Sequence, residues 1–590
     1  MAINGISFGS GVLGGSIQSL KNQLADLQNQ LTSGKASTTY SGMGANEGFA
    51  IAARSQLSNI AGFTDTMAKV NTTIGVENTA LQALVDIGTQ LQTAATSGTQ
   101  ALNSVGQTAG QQTAVAELGS MLDILNTQSG DRYIFSGSAL NTPAVVSQDT
   151  LLNGNPSQGI AGLKQVISER NQADLGSDGL GRIAITQPSS TSVSVAEDAS
   201  PSVFGMKLQS VSSSLTGASL TTTPATINLP ANATNGQTFD VTFQQSDGTS
   251  KTVTLTATTT VPPPAGSFAI GTTAADTAAN LNAALASAEG ATGQFGAQLT
   301  GVSSSMSGVT VTPAQTSIDL GTTNPQDGDT VSFSFSMPDG TTEAIQLTAS
   351  SATPTPAGSF AIGATPAATA ANLQTALSSS IGTLANTSLV AASAVQATND
   401  FFGSPPLRVN VTPPATLATA TSQTDGTANT VAWYTGNTST TSARASSTAR
   451  VDQSITVQYG MQANEQAIVT QLKAVAVMAA FSAPATGTNS AGQISALNDR
   501  VAQNLTAQPG QQTIQDIQTD LANAQTVMKD ATSRQTLTQA TLQDVVDQAE
   551  NVSTDQVASQ LLALQTNLQA SYQTTSMLSQ LSLVKFLPVG

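Results

Sequence analysis

The sequence predicts an α+β multidomain protein, in which a long helical coiled-coil bundle formed by both termini carries inserted β-rich α+β modules in the middle. Three observations predict it. Apolar residues recur at alternating intervals of three and four at the two ends of the 590-residue chain and not between them, which is the seam of a coiled coil or bundle. The middle is rich in Thr, Ser and Ala and alternates apolar with polar residues, as half-buried strands do. An eight-residue segment of that middle also occurs twice, Pro264 to Gly271 reappearing as Pro356 to Gly363. The length leaves room for three or more domains.

Taken in order, Ile17, Leu20, Leu24, Leu27 and Leu31 predict an amphipathic helix from about Ser16 to Leu31, stopped at Thr32-Ser33-Gly34-Lys35 with Gly just past its end. Ala36 to Asn46 is small, polar and Gly-containing, and reads as a loop. The stripe Ile60, Phe63, Met67, Val70, Ile74, Leu81 and Leu84, closing at Leu91, predicts a long helix over Glu47 to Ala94 with its seam interrupted at Glu77 and Gly88. Another helix is expected near Gln111 to Gln128, after a Gly/Gln-rich break. Towards the other end, Asn464 to Phe481 and Gln511 to Asp547 read as helices, the second carrying Ile514, Ile517, Leu521, Ala524 and Met528. Ser553 followed by Gln556 is a capping box. It opens a last helix to about Ser582 that carries Val557, Leu561, Leu564, Leu568 and Leu578.

In the middle, Thr277 to Leu281 matches Thr369 to Leu373, and Asp247-Gly248 matches Asp339-Gly340, at the same 92-residue offset that separates Phe268 from Phe360. Each copy is expected to run strand, Asp-Gly turn, return strand and helix. Thr273 caps the first helix, and Thr365 with Pro366 opens the second. The closing strands are expected at Val309 to Pro313 and Val409 to Pro413. The domain reading is therefore a terminal helical domain of 1–45 and 548–590, a bundle core of 46–145 and 455–547, and a β-rich connection of 146–224 and 414–454. Tandem modules follow at 225–315 and 316–413; they are expected to fold on their own, so that deleting 225–413 is tolerated for assembly.

Composition excludes several functions. The chain has no Cys and no His, which removes thiol nucleophiles, a Ser-His-Asp triad, disulfides and thiolate or imidazole zinc sites. Asp and Glu are scattered singly, without an acidic Ca²⁺ loop or a paired catalytic cluster. No enzyme, cofactor or metal site is expected. Charged residues are 9% of the chain and the net charge is −17, with no basic patch, so nucleic acid is not an expected partner. The most apolar run, Ala474 to Phe481, is far below the roughly 20 residues of a membrane span. The segment MAINGISFGSGVLGG lacks the basic and apolar regions of a cleaved secretion signal.

Both ends carry finer motifs. Gln23 to Lys35 (QLADLQNQLTSGK) resembles the first helix and its exit in bacterial flagellins and their hook-associated relatives. Glu47 to Leu57 is similar to the start of that family's long helix, and Leu581 to Leu587 to its apolar tail. Thr226 to Phe243 (TINLPANATNGQTFDVTF) is similar to a motif common in flagellin insertions. The resemblance covers roughly the first 145 and last 140 residues. Asp131 to Gly137 and the stretch from Val431 to Glu465 look more like the hook–filament junction members, although the loop after Lys35 lacks the Asp-Asp-Pro usual there.

The resemblance implies a structural subunit of the flagellum. It would be secreted unfolded through the flagellar type III export channel, with an export chaperone as companion, and would assemble with itself and with hook, hook-associated proteins and flagellin. Ile17, Leu20, Leu24, Leu27, Leu31, Val557, Leu561, Leu564, Leu568 and Leu578 would pack subunits together. Ile60, Phe63, Met67, Val70, Ile74, Leu81, Leu84, Ile514, Ile517 and Leu521 would form the bundle core. The terminal helices would fray in the free monomer and order on assembly. A filament-forming flagellin is the close alternative, and an adhesin-like surface protein a more distant one. Trp433 and Tyr434 are read as core at the base of the insertions, Arg444 and Arg450 as surface residues, and Tyr133 and Phe135 as anchors of the turn that ends the helical region.

Overall fold

The computed structural model describes residues 5–96, 101–198, 201–244, 250–289, 298–439 and 442–584. It is a mixed helix and strand protein with long helices at both ends. Helix α1 (Gly5–Ser33) ends where Gly34 turns left-handed at φ 69°, and α2 (Glu47–Thr96) follows a short 3₁₀ stretch. Helix α3 (Ala109–Leu125) starts two residues before the expected Gln111 because Thr108 caps it. The Thr108 hydroxyl accepts from Gln111 N–H at 3.2 Å, and the Gln111 side chain accepts from Thr108 N–H at 3.0 Å. Next come α4 (Gln148–Asn153), α5 (Leu163–Leu175), α6 (Ala274–Glu289), α7 (Pro366–Leu384) and α8 (Val390–Phe401). Towards the end stand α9 (Gln466–Ala480), α10 (Ser490–Asn504), α11 (Ile514–Glu550) and α12 (Thr554–Val584). The Ser553 hydroxyl accepts from Gln556 N–H at 3.5 Å and opens α12. The end of the apolar tail, residues 585–587, and the Asp247-Gly248 turn lie outside the described residues.

The chain divides into two compact units. Unit 1 is Met1–Gly75, Ser447–Tyr459 and Thr519–Gly590, and unit 2 is Val76–Ser446 and Gly460–Gln518. The division therefore falls inside α2 and α11 and not at the expected 45/46 and 547/548. In unit 1, Met67, Val70, Ile74, Leu521, Ala524 and Met528 are buried, with Ile60 and Phe63 half-buried. The Thr532 hydroxyl reaches the Met67 sulfur at 3.5 Å, so the two helices meet along these stripes. Gln535 of α11 donates to Val451 O at 2.7 Å beside a small ladder of β21 (Thr448–Arg450) and β22 (Thr456–Gln458).

In unit 2, Leu81, Leu84, Leu91, Ile514 and Ile517 are buried. At the Gly88 break in the α2 seam, a Cβ would come 3.0 Å from the Gln471 amide of α9, and Gln471 donates to Leu84 O. The small residue here lets α9 approach closely. The ladders β1 (Gln128–Ser129) with β2 (Arg132–Tyr133) and β3 (Gly154–Asn155) with β4 (Ile160–Ala161) follow α3 and α4.

The modules differ from a simple tandem. The first is contiguous: β9 (Thr226–Asn228), β10 (Thr238–Gln244), β11 (Ser250–Thr258), β12 (Ser267–Ala269), α6, β13 (Gln298–Ser304) and β14 (Thr310–Thr312). Its sheet has the order β12-β11-β10-β13, with β14 paired to β9. The second has β16 (Thr330–Ser336), β17 (Thr342–Ser350), β18 (Ser359–Ala361) and α7, but its fourth strand is β7 (Lys207–Ser213), which precedes the first module. Likewise β15 (Gln315–Asp319) pairs with β8 (Ser219–Thr223), on a sheet extended by β5 (Ile183–Ser189) and β6 (Ser192–Glu197). The first module is thus nested inside the second.

The correspondence is close. Val241 pairs with Val302 and Phe333 with Val211, and each ladder shifts register within the next two residues. Its sequence signal is Leu208-Gln-Ser-Val-Ser-Ser-Ser-Leu-Thr-Gly217 against Leu299-Thr-Gly-Val-Ser-Ser-Ser-Met-Ser-Gly308. The expected closing strand at Val409 to Pro413 breaks the 92-residue offset, and β19 (Leu407–Val409) pairs instead with β20 (Gln423–Asp425). Boundaries at 225 and 413 are therefore corrected. Removing 225–413 would strip β7 of its partner and take Asp400 from Arg170, leaving a buried cation short of a carboxylate.

Both modules fasten helix to sheet with the same bonds. Thr369 donates to Asn324 at 2.8 Å and accepts from Gly363 N–H at 2.8 Å, while Asn324 donates to Gly363 O at 2.8 Å. Thr277, Asn232 and Gly271 repeat the set. Phe239 and Phe268 fill one core, and Phe333, Phe335 and Phe360 the other; each buried ring contributes about 1.5–3 kcal/mol.

Candidate assembly surface

Segments near the two ends of the chain meet in unit 1. Lys35 and Asn551 form an antiparallel bridge, Ala36 N–H donates to Glu550 O at 2.7 Å, and Val552 N–H donates to Gly34 O at 3.0 Å. Arg54 grips the Glu550 carboxylate through two nitrogens, at 2.5 and 2.7 Å, and that hydrogen bond holds Glu550 below its ordinary pKa. Because α1 ends at this stitch and α12 begins there, the two helices run antiparallel and pack on each other. Each is the other's partner, although the whole sequence lies between them.

Two helices can cover one stripe each and no more. Ile17, Leu20, Leu24 and Leu27 are half-buried and Leu31 is 39% exposed, while Val557 and Leu564 are buried and Leu561 and Leu568 half-buried. The side chain of Leu578 lies outside the described residues. Lys21 Nζ stands 5.9 Å from the Tyr572 ring centroid. Apolar groups beyond the stripe have no cover: Phe49 is 66% exposed, Leu537 73%, Leu562 64% and Met577 61%. Of the fourteen exposed large apolar side chains among the described residues, eleven belong to unit 1, so the exposed apolar side chains are concentrated there. The Thr and Ser side chains of α11, from Thr526 to Thr541, bond back to carbonyls four residues earlier. They satisfy themselves and leave the seam apolar.

Unit 2 holds one charged cluster whose groups are all paired. Arg170 bonds Asp174 and Asp400, each at 2.9 Å, and lies 4.9 Å from the Phe204 ring. Gln423 and Gln396 donate to Asp400 at 2.6 and 2.9 Å. Burial pushes Asp400 up against the opposing pull of Arg170. With its acceptors occupied, this cluster ties α5 to α8 and offers no poised base. Arg170 with Asp174 at i,i+4 was readable in the sequence; Asp400 was not.

Arg444 is not a surface residue: Nη2 meets both Glu465 oxygens at 2.5 Å. Arg450 is exposed and bonds the carbonyls of Asp452 and Gln453. Phe135 is buried, Tyr133 is half-buried, and the turn between them and Gly137 docks on Met461 to Ala463 through bonds of 2.9 and 3.1 Å. Trp433, 8% exposed, packs edge-on to Phe402 with centroids 5.1 Å apart. Among the described residues no three Asp or Glu gather as metal ligands would, and no helix is long and apolar enough to cross a membrane. No family model matches the chain, and no curated protein matches its sequence.

Proposed function

We propose that the chain is a structural subunit of the bacterial flagellum, a flagellin-like hook–filament junction protein that self-assembles through a coiled coil of its terminal helices. The observation that carries this reading is the antiparallel pair of helices from opposite chain ends, with the exposed apolar side chains collected on the same unit. Covering such a surface with neighbouring copies is strongly favourable per unit area. The motif resemblance supplies the remainder: secretion through the flagellar export channel, a chaperone in transit, and hook, hook-associated proteins and flagellin as neighbours outside the cell. No catalytic step is assigned.

Filament flagellin is the second reading, favoured by the two inserted modules, which suit a subunit exposed along a filament. Truncations of residues 1–35 or 560–590 test the assembly element. Each should leave the modules folded and abolish incorporation into flagella; a truncated chain that still incorporates overturns the proposal. Deleting the gene separates the two readings. Loss of a junction protein leaves hooks in place with flagellin shed into the medium, whereas loss of a filament subunit shortens or removes the filament while a junction remains.

A further inference from the structure

Unit 2 contains a cleft of about 930 Å³ that the assembly reading does not use. Half-buried Tyr434 lines one wall, backed by the buried rings of Trp433 and Phe402, the three in an unbroken chain with centroids 5.6 and 5.1 Å apart. Asn464 and Gln511 supply neutral donors and acceptors, and Lys473 of α9 stands where this cleft meets a second one of about 400 Å³. No described carboxylate is within ion-pair distance of Lys473. The carboxylate whose field reaches it, Asp400, is already bound by Arg170 and by two Gln amides. Burial lowers the Lys473 pKa, as expected for an ammonium short of hydration and of a partner.

We propose that this cleft binds a carboxylate-bearing sugar, its acid group on the Lys473 ammonium and its ring against Tyr434, with Trp433 directly behind. The volume falls within the range of small-molecule sites, and the lining has the expected form of an aromatic face with a few convergent polar groups. Neutral amides serve hydroxyls that both donate and accept. A polyacidic peptide is disfavoured, because the described lining has one free cation and Asp425 lies on its wall.

Trp433 is the chain's one tryptophan, so intrinsic fluorescence of the full chain reads this site directly. D-glucuronate should give a saturable change and D-glucose, at equal concentration, little. Lys473→Met should weaken glucuronate binding at least about tenfold, while Lys473→Arg keeps it within about threefold. No saturable change, an equal response to glucose, or unchanged binding by a folded Lys473→Met chain overturns the proposal. So does a response to an N-acetylated Asp-containing peptide without one to glucuronate. The glucuronate-to-glucose contrast on the unaltered chain decides the matter if Lys473→Met does not fold.

Discussion

Glu77 occupies an apolar seam position of α2 and is 2% exposed. Its Oε2 has no hydrogen-bond partner. Burial pushes its pKa from 4.5 to about 8, with Arg444 pulling down and Glu465 pushing up. The folded chain therefore holds it protonated at neutral pH. The associated stability is complete below the unfolded value of 4.5 and is lost as the pH rises towards about 8, since the unfolded chain releases the proton first. Glu77→Gln keeps the neutral shape and should flatten the melting profile between about pH 5 and 8 and raise the melting temperature at its upper end. Parallel profiles for both chains would contradict this. At the modules, Asn324→Ala removes the acceptor of Thr369 and the donor to Gly363 O. It should cost about 1–3 kcal/mol in denaturant unfolding, and Asn232→Ala should act similarly on the nested module.

At the scale of elements, β8 and β15 deliver the chain into and out of the nested module side by side, with Thr223 opposite Gln315. Excising 224–314 and closing the gap with an Asn-Gly turn should leave the second module whole, its sheet still completed by β7. The shortened chain should melt cooperatively and remain soluble. Aggregation would show that the first module covers surface the second needs.

This nesting was half legible. The 92-residue offset located β10, β11 and α6 against β16, β17 and α7, because turns and alternation are local signals. The Val-Ser-Ser-Ser pairs at Val211 and Val302 were in plain view too, but which sheet each strand completes is a matter of long-range pairing that composition does not encode. The helical stripes were legible for the same local reason. Ile494, Leu497 and Val501 of α10 keep the three-four spacing as well, and that helix went unforeseen. Within the assembly surface, the apolar stripes could be read from spacing, whereas the Arg54–Glu550 clasp joins residues 496 apart and could not.

For the whole molecule, a net charge of −17 makes copies of the chain repel one another, while the exposed apolar side chains of unit 1 are the surface that the proposed assembly would bury. Assembly should accordingly strengthen with salt, which screens the repulsion over a Debye length of about 8 Å at physiological ionic strength and leaves apolar burial in place. Light scattering of the purified chain across a salt series measures this; scattering that falls with salt would assign the contacts to ion pairs.

The most direct measurement is immunogold electron microscopy of cells that make the protein, with antibody against the nested module. Gold is expected on the flagellum, as a single band at the distal end of the hook. Gold along the filament would keep the protein in the flagellum and replace the junction reading with filament flagellin. Gold confined to the cell body, with bare flagella, would contradict the account.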